Sequence, residues 1–318
     1  MRILKSRFCS TLLAVAATAS AVTAMAYPLD GYDETGIRRV EGARLANLGL
    51  AIGGFQPPGA MLTTDEVDLR LLDSDITLPP ADSAFTAQIK DLLGENADRY
   101  GVTVLDLTNP DQPRYAEHRG NYRQNVGSVG KILGALGLFQ ALADTYPEDL
   151  ERRKSILRDS IITADEFAHS DHHSVRFFDV ETKYLTRRKI EDGDQGSLWE
   201  YLDWMLSVSS NSAAAMVMRD AMLLRHFGKD YPLEEEKIRA FFADTPRRDL
   251  TKLFQQTFWE PVTRNGLPLD QIRQGSFFTR QGKANVNGGG NSYATARTLM
   301  ELLLKMEKGE LVDEWSSR

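Results

Sequence analysis

The chain has 318 residues, of which 42% are hydrophobic and 26% charged, and this balance indicates a folded protein with a large core rather than a disordered one. Its net charge is −7 and it has no block of basic residues, which argues against nucleic acid as a partner. The single cysteine is Cys9, so a mature chain without it would have no disulfide, cysteine nucleophile or thiolate metal site.

The first 26 residues have the composition of an export signal. "MRILKSR" is basic, "TLLAVAATASAVTA" is apolar, and "AMA" at 24–26 is the small-x-small pattern that a signal peptidase reads. We expect cleavage after Ala26; a membrane anchor is the alternative, but the apolar run is short. The sequence therefore predicts a bacterial periplasmic or secreted protein, monomeric and without a transmembrane segment after cleavage.

Residues 27–83 are predicted to be an irregular N-terminal extension over the main domain, because "GGFQPPGA" and "LPPAD" supply glycine and proline without a clear period. The main domain is expected to cover 84–318. It begins with a predicted helix, "AFTAQIKDLLGENA" (84–97), whose apolar face holds Phe85, Ile89, Leu92 and Leu93.

Two strands follow this helix. "YGVTVLDLT" (100–108) alternates apolar and polar residues, "NPDQP" predicts a turn, and "RYAEHRG" (114–120) predicts a return strand. A sheet of only two strands is incomplete, so we expect its other strands to come from later in the chain. The fold class is α+β: an antiparallel sheet flanked by helices, with a mainly helical lobe.

The rest of the chain is predicted to be mostly helical. One helix runs from about Ser128 to Asp144, and "SLWEYLDWML" opens with Ser197 and Glu200 in capping-box spacing. "SSNSAAAMVMRDAMLL" and "YATARTLMELLLKMEKG" predict two more helices. The predicted buried stripe and C-terminal cap of the last one are Leu299, Leu302, Leu303, Met306 and Gly309.

Ser128 and Lys131 are three residues apart at the start of an otherwise apolar helix, so they share one face. A lysine pressed against apolar side chains loses hydration, which lowers its pKa and lets the neutral amine take a proton from the serine. The positive end of the helix dipole favours a developing anion at Ser128. The alternative interpretation is an N-cap serine beside a lysine whose charged end reaches solvent.

Ser209, Ser210 and Asn211 open a helix of small side chains. Small residues allow close packing, so Ser209 and Asn211 would project a hydroxyl and an amide from the turn. Taken alone, the pattern fits simple helix capping equally well.

Together these two motifs resemble the serine β-lactamases and penicillin-binding D,D-peptidases, and most closely the class A β-lactamase-like group. That family carries S-x-x-K on a core helix, S-x-N on a second and K-[ST]-G on a later strand. Ser128-Val129-Gly130-Lys131 and Ser209-Ser210-Asn211 are the only matches to the first two motifs and occur in that order. The resemblance covers about residues 84–318.

The resemblance implies a role for each residue. Ser128 attacks a carbonyl, its backbone N–H forms half of the oxyanion hole, and Lys131 takes its proton. Ser209 passes a proton to the leaving nitrogen, while Asn211 binds the substrate amide and helps to hold Lys131. The implied substrate is a β-lactam or a peptidoglycan stem peptide ending like D-Ala-D-Ala. No metal or organic cofactor is implied.

The sequence departs from the family in two places. No K-[ST]-G occurs and the chain ends at "WSSR", so we expect the C-terminal strands to be missing from this chain or the protein to be disabled. Lys283 in "QGKAN" lacks the motif's neighbours and is interpreted as a surface lysine. Glu260 in "FWEPVTRNGL" is the nearest candidate for the glutamate that activates water for deacylation, although the E-x-x-L-N pattern fails there.

Three functions remain open from the sequence: a serine β-lactamase-like hydrolase, a D,D-carboxypeptidase or penicillin-binding protein, and a catalytically impaired envelope binding protein. A metal-binding function is a weaker possibility. "ADEFAHSDHHSVRFFD" (164–179) has His169 and His173 one helical turn apart, with Asp171 and His172 between them, but a solvated loop explains this stretch more simply.

Overall fold

A computed structural model describes residues 30–51, 62–109 and 111–318, so the predicted export signal at 1–26 lies outside the described residues. The described chain is mostly helical, with 3₁₀ turns at Gly127–Gly130 and Glu166–Ala168. The helices are α1 (Tyr32–Thr35), α2 (Arg38–Asn47), α3 (Ser83–Leu93), α4 (Lys131–Thr145), α5 (Leu150–Asp159), α6 (Leu198–Ser207), α7 (Asn211–Phe227), α8 (Glu235–Asp244), α9 (Arg247–Phe258), α10 (Glu260–Arg264), α11 (Arg280–Asn285), α12 (Ala296–Glu307) and α13 (Glu314–Ser317).

The described strands form three antiparallel pairs, in which β1 pairs with β2, β3 with β6 and β4 with β5. These strands are β1 (Val102–Asp106), β2 (Arg114–His118), β3 (Ile161–Thr163), β4 (Val175–Phe178), β5 (Leu185–Arg188) and β6 (Gln195–Ser197). The α+β class and the β1–β2 hairpin are confirmed.

The expectation of further strands beside β1 and β2 is wrong for the described residues, where no third strand joins this pair. Helix α12 packs against β1 instead, and the Thr103 hydroxyl donates a hydrogen bond to the Ala296 carbonyl over 3.1 Å. Within residues 111–318, the later chain therefore places a helix, rather than a strand, beside β1.

Helices α4 and α7 form the centre of the core, and α6 and α9 pack around them. From Ser212 to Leu224 every residue of α7 is buried, as expected for a helix enclosed on all sides. Gly137 lets α4 approach α9 closely, because a Cβ atom there would lie 2.6 Å from the Phe258 ring and 2.7 Å from the Thr257 carbonyl oxygen.

Two predicted apolar faces differ from the structure. In α3, Leu92 is 84% exposed and no residue is buried. In α12, Leu302 and Leu304 are buried whereas Leu303 is 46% exposed, so the predicted stripe is wrong at that position. The predicted cap is in place, since Gly309 follows α12 with a left-handed φ of 69°.

The N-terminal extension is not irregular throughout, since α1 and α2 lie within it. Helix α2 is held to α6 by two ion pairs, Arg38 with Glu200 and Arg39 with Asp203. The predicted capping box of α6 is therefore only half formed. The Ser197 hydroxyl accepts the Glu200 backbone N–H over 3.0 Å, but the Glu200 carboxylate binds Arg38 instead.

Candidate active site

Ser128 lies in the 3₁₀ turn that leads into α4, and Lys131 is the first residue of that helix. The α-helix thus begins three residues later than predicted. The tight turn still aligns the two side chains, and the Lys131 amine lies 3.0 Å from the Ser128 hydroxyl oxygen. Ser128 is exposed whereas Lys131 is only 2% exposed. The serine is therefore accessible from solvent, while the lysine beside it is buried in the core.

Four oxygen atoms surround the Lys131 amine within hydrogen-bonding distance. They are the Ser128 hydroxyl at 3.0 Å, the Ser209 carbonyl and hydroxyl at 2.9 and 3.2 Å, and the Asn211 amide oxygen at 2.7 Å. The Phe278 ring lies 4.6 Å away on another side. Burial lowers the pKa of Lys131 to about 8, against the opposing effect of the negative charge of Asp171.

Ser209 and Asn211 reach this amine because the chain turns sharply before α7. Ser209 has a left-handed φ of 60°, a conformation that costs a residue with a side chain about 1–3 kcal/mol and that often occurs at functional sites. Ser210 caps α7 by accepting the Ala213 N–H over 3.1 Å. The structure therefore brings Ser128, Lys131, Ser209 and Asn211 together, while their catalytic roles stay predictions.

Glu260 is not part of this cluster. Its carboxylate lies 2.9 Å from Arg225 in the last turn of α7, whereas Asn211 begins that helix. A rise of 1.5 Å per residue separates Asn211 from Arg225 by about 20 Å. The structure thus places Glu260 too far from Ser128 to activate a water molecule there, which corrects the prediction for this residue.

Asp171, which from sequence alone is only one donor of a possible metal site, anchors the corner before α7. One carboxylate oxygen accepts the Ser210 hydroxyl and the Asn211 and Ser212 N–H groups over 2.7–3.0 Å. The other accepts both the backbone N–H and the ring of His173, over 3.2 and 2.6 Å. No local sequence pattern predicts the contact between Asp171 and the start of α7, because Asn211 lies 40 residues away in sequence.

The two histidines that the weaker, metal-binding alternative would use, His169 and His173, make other contacts. His169 bonds to Asp192 over 2.7 Å, and the segment around it is not helical. Donor atoms of Asp171, His172 and His173 do lie within 4.8 Å of one another. Both Asp171 oxygens already accept several hydrogen bonds, so this trio is a hydrogen-bonded structural cluster rather than an open ligand set.

Ser128 and Asn211 line a pocket of about 710 Å³ that also contains Arg123 and Lys283. Within the described part of the chain, no carboxylate is among its lining residues. Lys283 is exposed, as predicted, yet it faces the candidate site. Another pocket of about 770 Å³, beside Asp165 and Glu235, is slightly larger but contains neither Ser128 nor Asn211.

The described residues include no helix that is both long and apolar enough to cross a membrane. Comparison with known families found a match between residues 84–318 and the model described as "Beta-lactamase enzyme family". Comparison with curated proteins found no match, and neither did comparison with solved structures.

Proposed function

Because the chain belongs to the β-lactamase enzyme family, we propose that it is an exported serine hydrolase that a β-lactam or a D-Ala-D-Ala-like peptide acylates at Ser128. The observation that carries this proposal is the 3.0 Å contact between the Ser128 hydroxyl and the buried Lys131 amine. The predicted signal at residues 1–26 supports export to the periplasm or beyond.

In the first step, neutral Lys131 accepts the Ser128 proton while the serine oxygen forms a bond to the carbonyl carbon of the substrate. The tetrahedral intermediate then breaks its carbon–nitrogen bond. Ser209 donates its proton to the departing nitrogen and is reprotonated by the Lys131 ammonium, 3.2 Å away. The products are a Ser128 ester and a neutral amine at Lys131, so protons balance without a cofactor.

Substrate binding is proposed to depend on positive charge at the pocket. Arg123 and Lys283 both line it, and a carboxylate on the substrate would be attracted to them. They would thus provide the positive charge that this family uses to bind the substrate carboxylate. Lys283 would then be a substrate-binding residue rather than an ordinary surface lysine.

The position of Glu260 favours a second candidate function, a D,D-carboxypeptidase or penicillin-binding protein. With Glu260 remote and no carboxylate among the described residues that line the pocket, water should attack the Ser128 ester slowly, and a β-lactam should remain attached.

The test is incubation of the full chain with a fluorescent penicillin, followed by mass spectrometry of the labelled peptide. We expect one label per chain at Ser128 and none in Ser128→Ala. Continuous hydrolysis of a chromogenic β-lactam would identify a β-lactamase, whereas a single burst together with cleavage of a D-Ala-D-Ala peptide would identify the peptidase. Absence of labelling, combined with muropeptide binding unaffected by Ser128→Ala, would identify a binding protein.

A further inference from the structure

The carboxylate of Asp171 is the most heavily hydrogen-bonded acidic group beside the site. Its side chain is only 3% exposed. Besides its contacts with Ser210, Asn211 and Ser212, it accepts the His172 N–H over 2.8 Å and the His173 ring over 2.6 Å. A buried carboxylate with so many donors is fixed in place and ionised.

Two routes connect this carboxylate to Lys131. The first is geometric, because Asp171 accepts the backbone N–H of Asn211, and the side chain of Asn211 accepts a hydrogen bond from the Lys131 amine over 2.7 Å. The second is electrostatic, because the negative charge of Asp171 stabilises the charged form of Lys131. One side chain therefore acts on both the position and the protonation of the amine.

The other groups around these two residues do not duplicate this role. His173 contacts Asp171 directly, and the exposed His172 ring lies 3.9 Å from it. Arg123 and Lys283 line the pocket in front of the site. Among the described residues, the Gly127–Gly130 turn, the Ser209–Asn211 corner and Phe278 present hydroxyl, carbonyl and amide groups and an aromatic ring to the Lys131 amine, and none of these is charged.

We propose that Asp171 is a positioning residue of the Ser128 site, which holds the Ser209–Asn211 corner in register with Lys131 and balances the charge of its amine. Burial alone would raise the pKa of Asp171, but the Ser212 N–H and His173 hold it well below its usual range. The carboxylate therefore stays charged over the whole pH range in which Lys131 titrates. This inference rests on the proposed function for its catalytic consequence, but the coupling to Lys131 can be measured without any substrate.

The test compares Asp171→Asn, which removes the charge, with Asp171→Glu, which keeps the charge but displaces it. Asp192→Asn is the matched control, since it removes an exposed carboxylate from the neighbouring loop. ¹⁵N NMR titration of the lysine amines, with Lys131→Met for assignment, reports the pKa of Lys131. Labelling by fluorescent penicillin as a function of pH reports acylation.

In Asp171→Asn we expect the pKa of Lys131 to fall by about one unit, and the acid limb of the acylation profile to move with it. In Asp171→Glu the pKa of Lys131 should stay near its value in the unaltered protein. Acylation should slow by about tenfold or more, because the longer side chain displaces the Ser209–Asn211 corner. Asp192→Asn should change neither.

An unchanged pKa of Lys131 in Asp171→Asn, or unchanged acylation in both Asp171 variants, would overturn the proposal. Thermal melts establish which variants fold; if Asp171→Asn does not, Asp171→Glu carries the test. If neither folds, the carboxylate serves the fold alone and the proposal is withdrawn. If the unaltered protein is not acylated at all, the proposed function fails, while the NMR titration still decides the coupling.

Discussion

The Lys131 amine lies 3.0 Å from the Ser128 hydroxyl oxygen and 2.7 Å from the Asn211 amide oxygen. An ammonium group has three protons, but two further oxygens, both from Ser209, are also within reach. When the amine is neutral it has two protons and a lone pair, and that lone pair can accept a proton from a serine hydroxyl. The same site therefore accommodates both protonation states that acylation requires.

Replacement of Lys131 by methionine should keep the volume of the side chain and remove the base. We expect acylation by fluorescent penicillin to fall by about 10²–10⁴, the usual contribution of a positioned general base. Stopped-flow labelling measures this rate. Lys90→Met, on the exposed face of α3, is the control and should label at the original rate.

The acylation rate should depend on pH with a definite sign. Because burial lowers the pKa of Lys131 to about 8, only about a tenth of the amine is neutral at pH 7. The rate should therefore rise as pH increases and level off above about 8. A rate–pH profile in constant ionic strength checks this, and a profile that falls between pH 6 and 8 would contradict the role of Lys131 as a base.

The charges of Arg123 and Lys283 should affect binding more than chemistry. We expect Arg123→Gln and Lys283→Gln each to weaken the initial binding of a penicillin by about tenfold, the usual loss for one charged hydrogen bond. The maximal acylation rate should change little. The methyl ester of the same penicillin is the control, since its binding should be insensitive to both changes.

Glu260→Gln should leave the lifetime of the acyl-enzyme unchanged, because Glu260 pairs with Arg225 about 20 Å along α7 from Asn211. The lost ion pair is partly exposed, so the free energy of unfolding should change by less than about 1 kcal/mol. Release of labelled penicillin over time measures the lifetime. A large increase in that lifetime would restore Glu260 as the base for deacylation.

Two glycines in α4 should respond oppositely to alanine. At Gly137 the new methyl group would lie 2.6 Å from Phe258, so Gly137→Ala should lower the free energy of unfolding by about 1–3 kcal/mol. At Gly134 the nearest atom is Met218 Cγ at 3.6 Å, an ordinary contact, and Gly134→Ala should gain up to about 1 kcal/mol in helix stability. Urea unfolding measures both.

Local patterns were sufficient to predict several elements. Alternation of side chains predicted β1, the turn at "NPDQP" predicted β2 as its return strand, and Gly309 predicted the end of α12. The i, i+3 spacing predicted that Ser128 and Lys131 would share a face, and the resemblance that S-x-x-K and S-x-N carry implied that Ser209 and Asn211 would join them. The family match over 84–318 confirms the family that these motifs suggested.

Contacts between distant segments were not predictable in the same way. The sequence near Asp171 gives no sign that its carboxylate caps α7, and "WEP" gives no sign that Glu260 pairs with Arg225. The exposure of Leu303 has a related cause, since the rotation of α12 depends on its contact with β1. In each case the contacting segment lies far away in sequence, and the periodicity of a local stretch does not predict which distant segment will pack against it.

The ion pairs between α2 and α6 bear on where a recombinant form of this protein can begin. Glu200 and Asp203 lie within the family-matched stretch, but Arg38 and Arg39, which neutralise them, precede residue 84. A buried carboxylate that loses its cation costs several kcal/mol. Expression limited to residues 84–318 would thus deprive two acidic side chains of their countercharges, so we expect the family-matched region alone to be less stable than a chain that begins before Arg38.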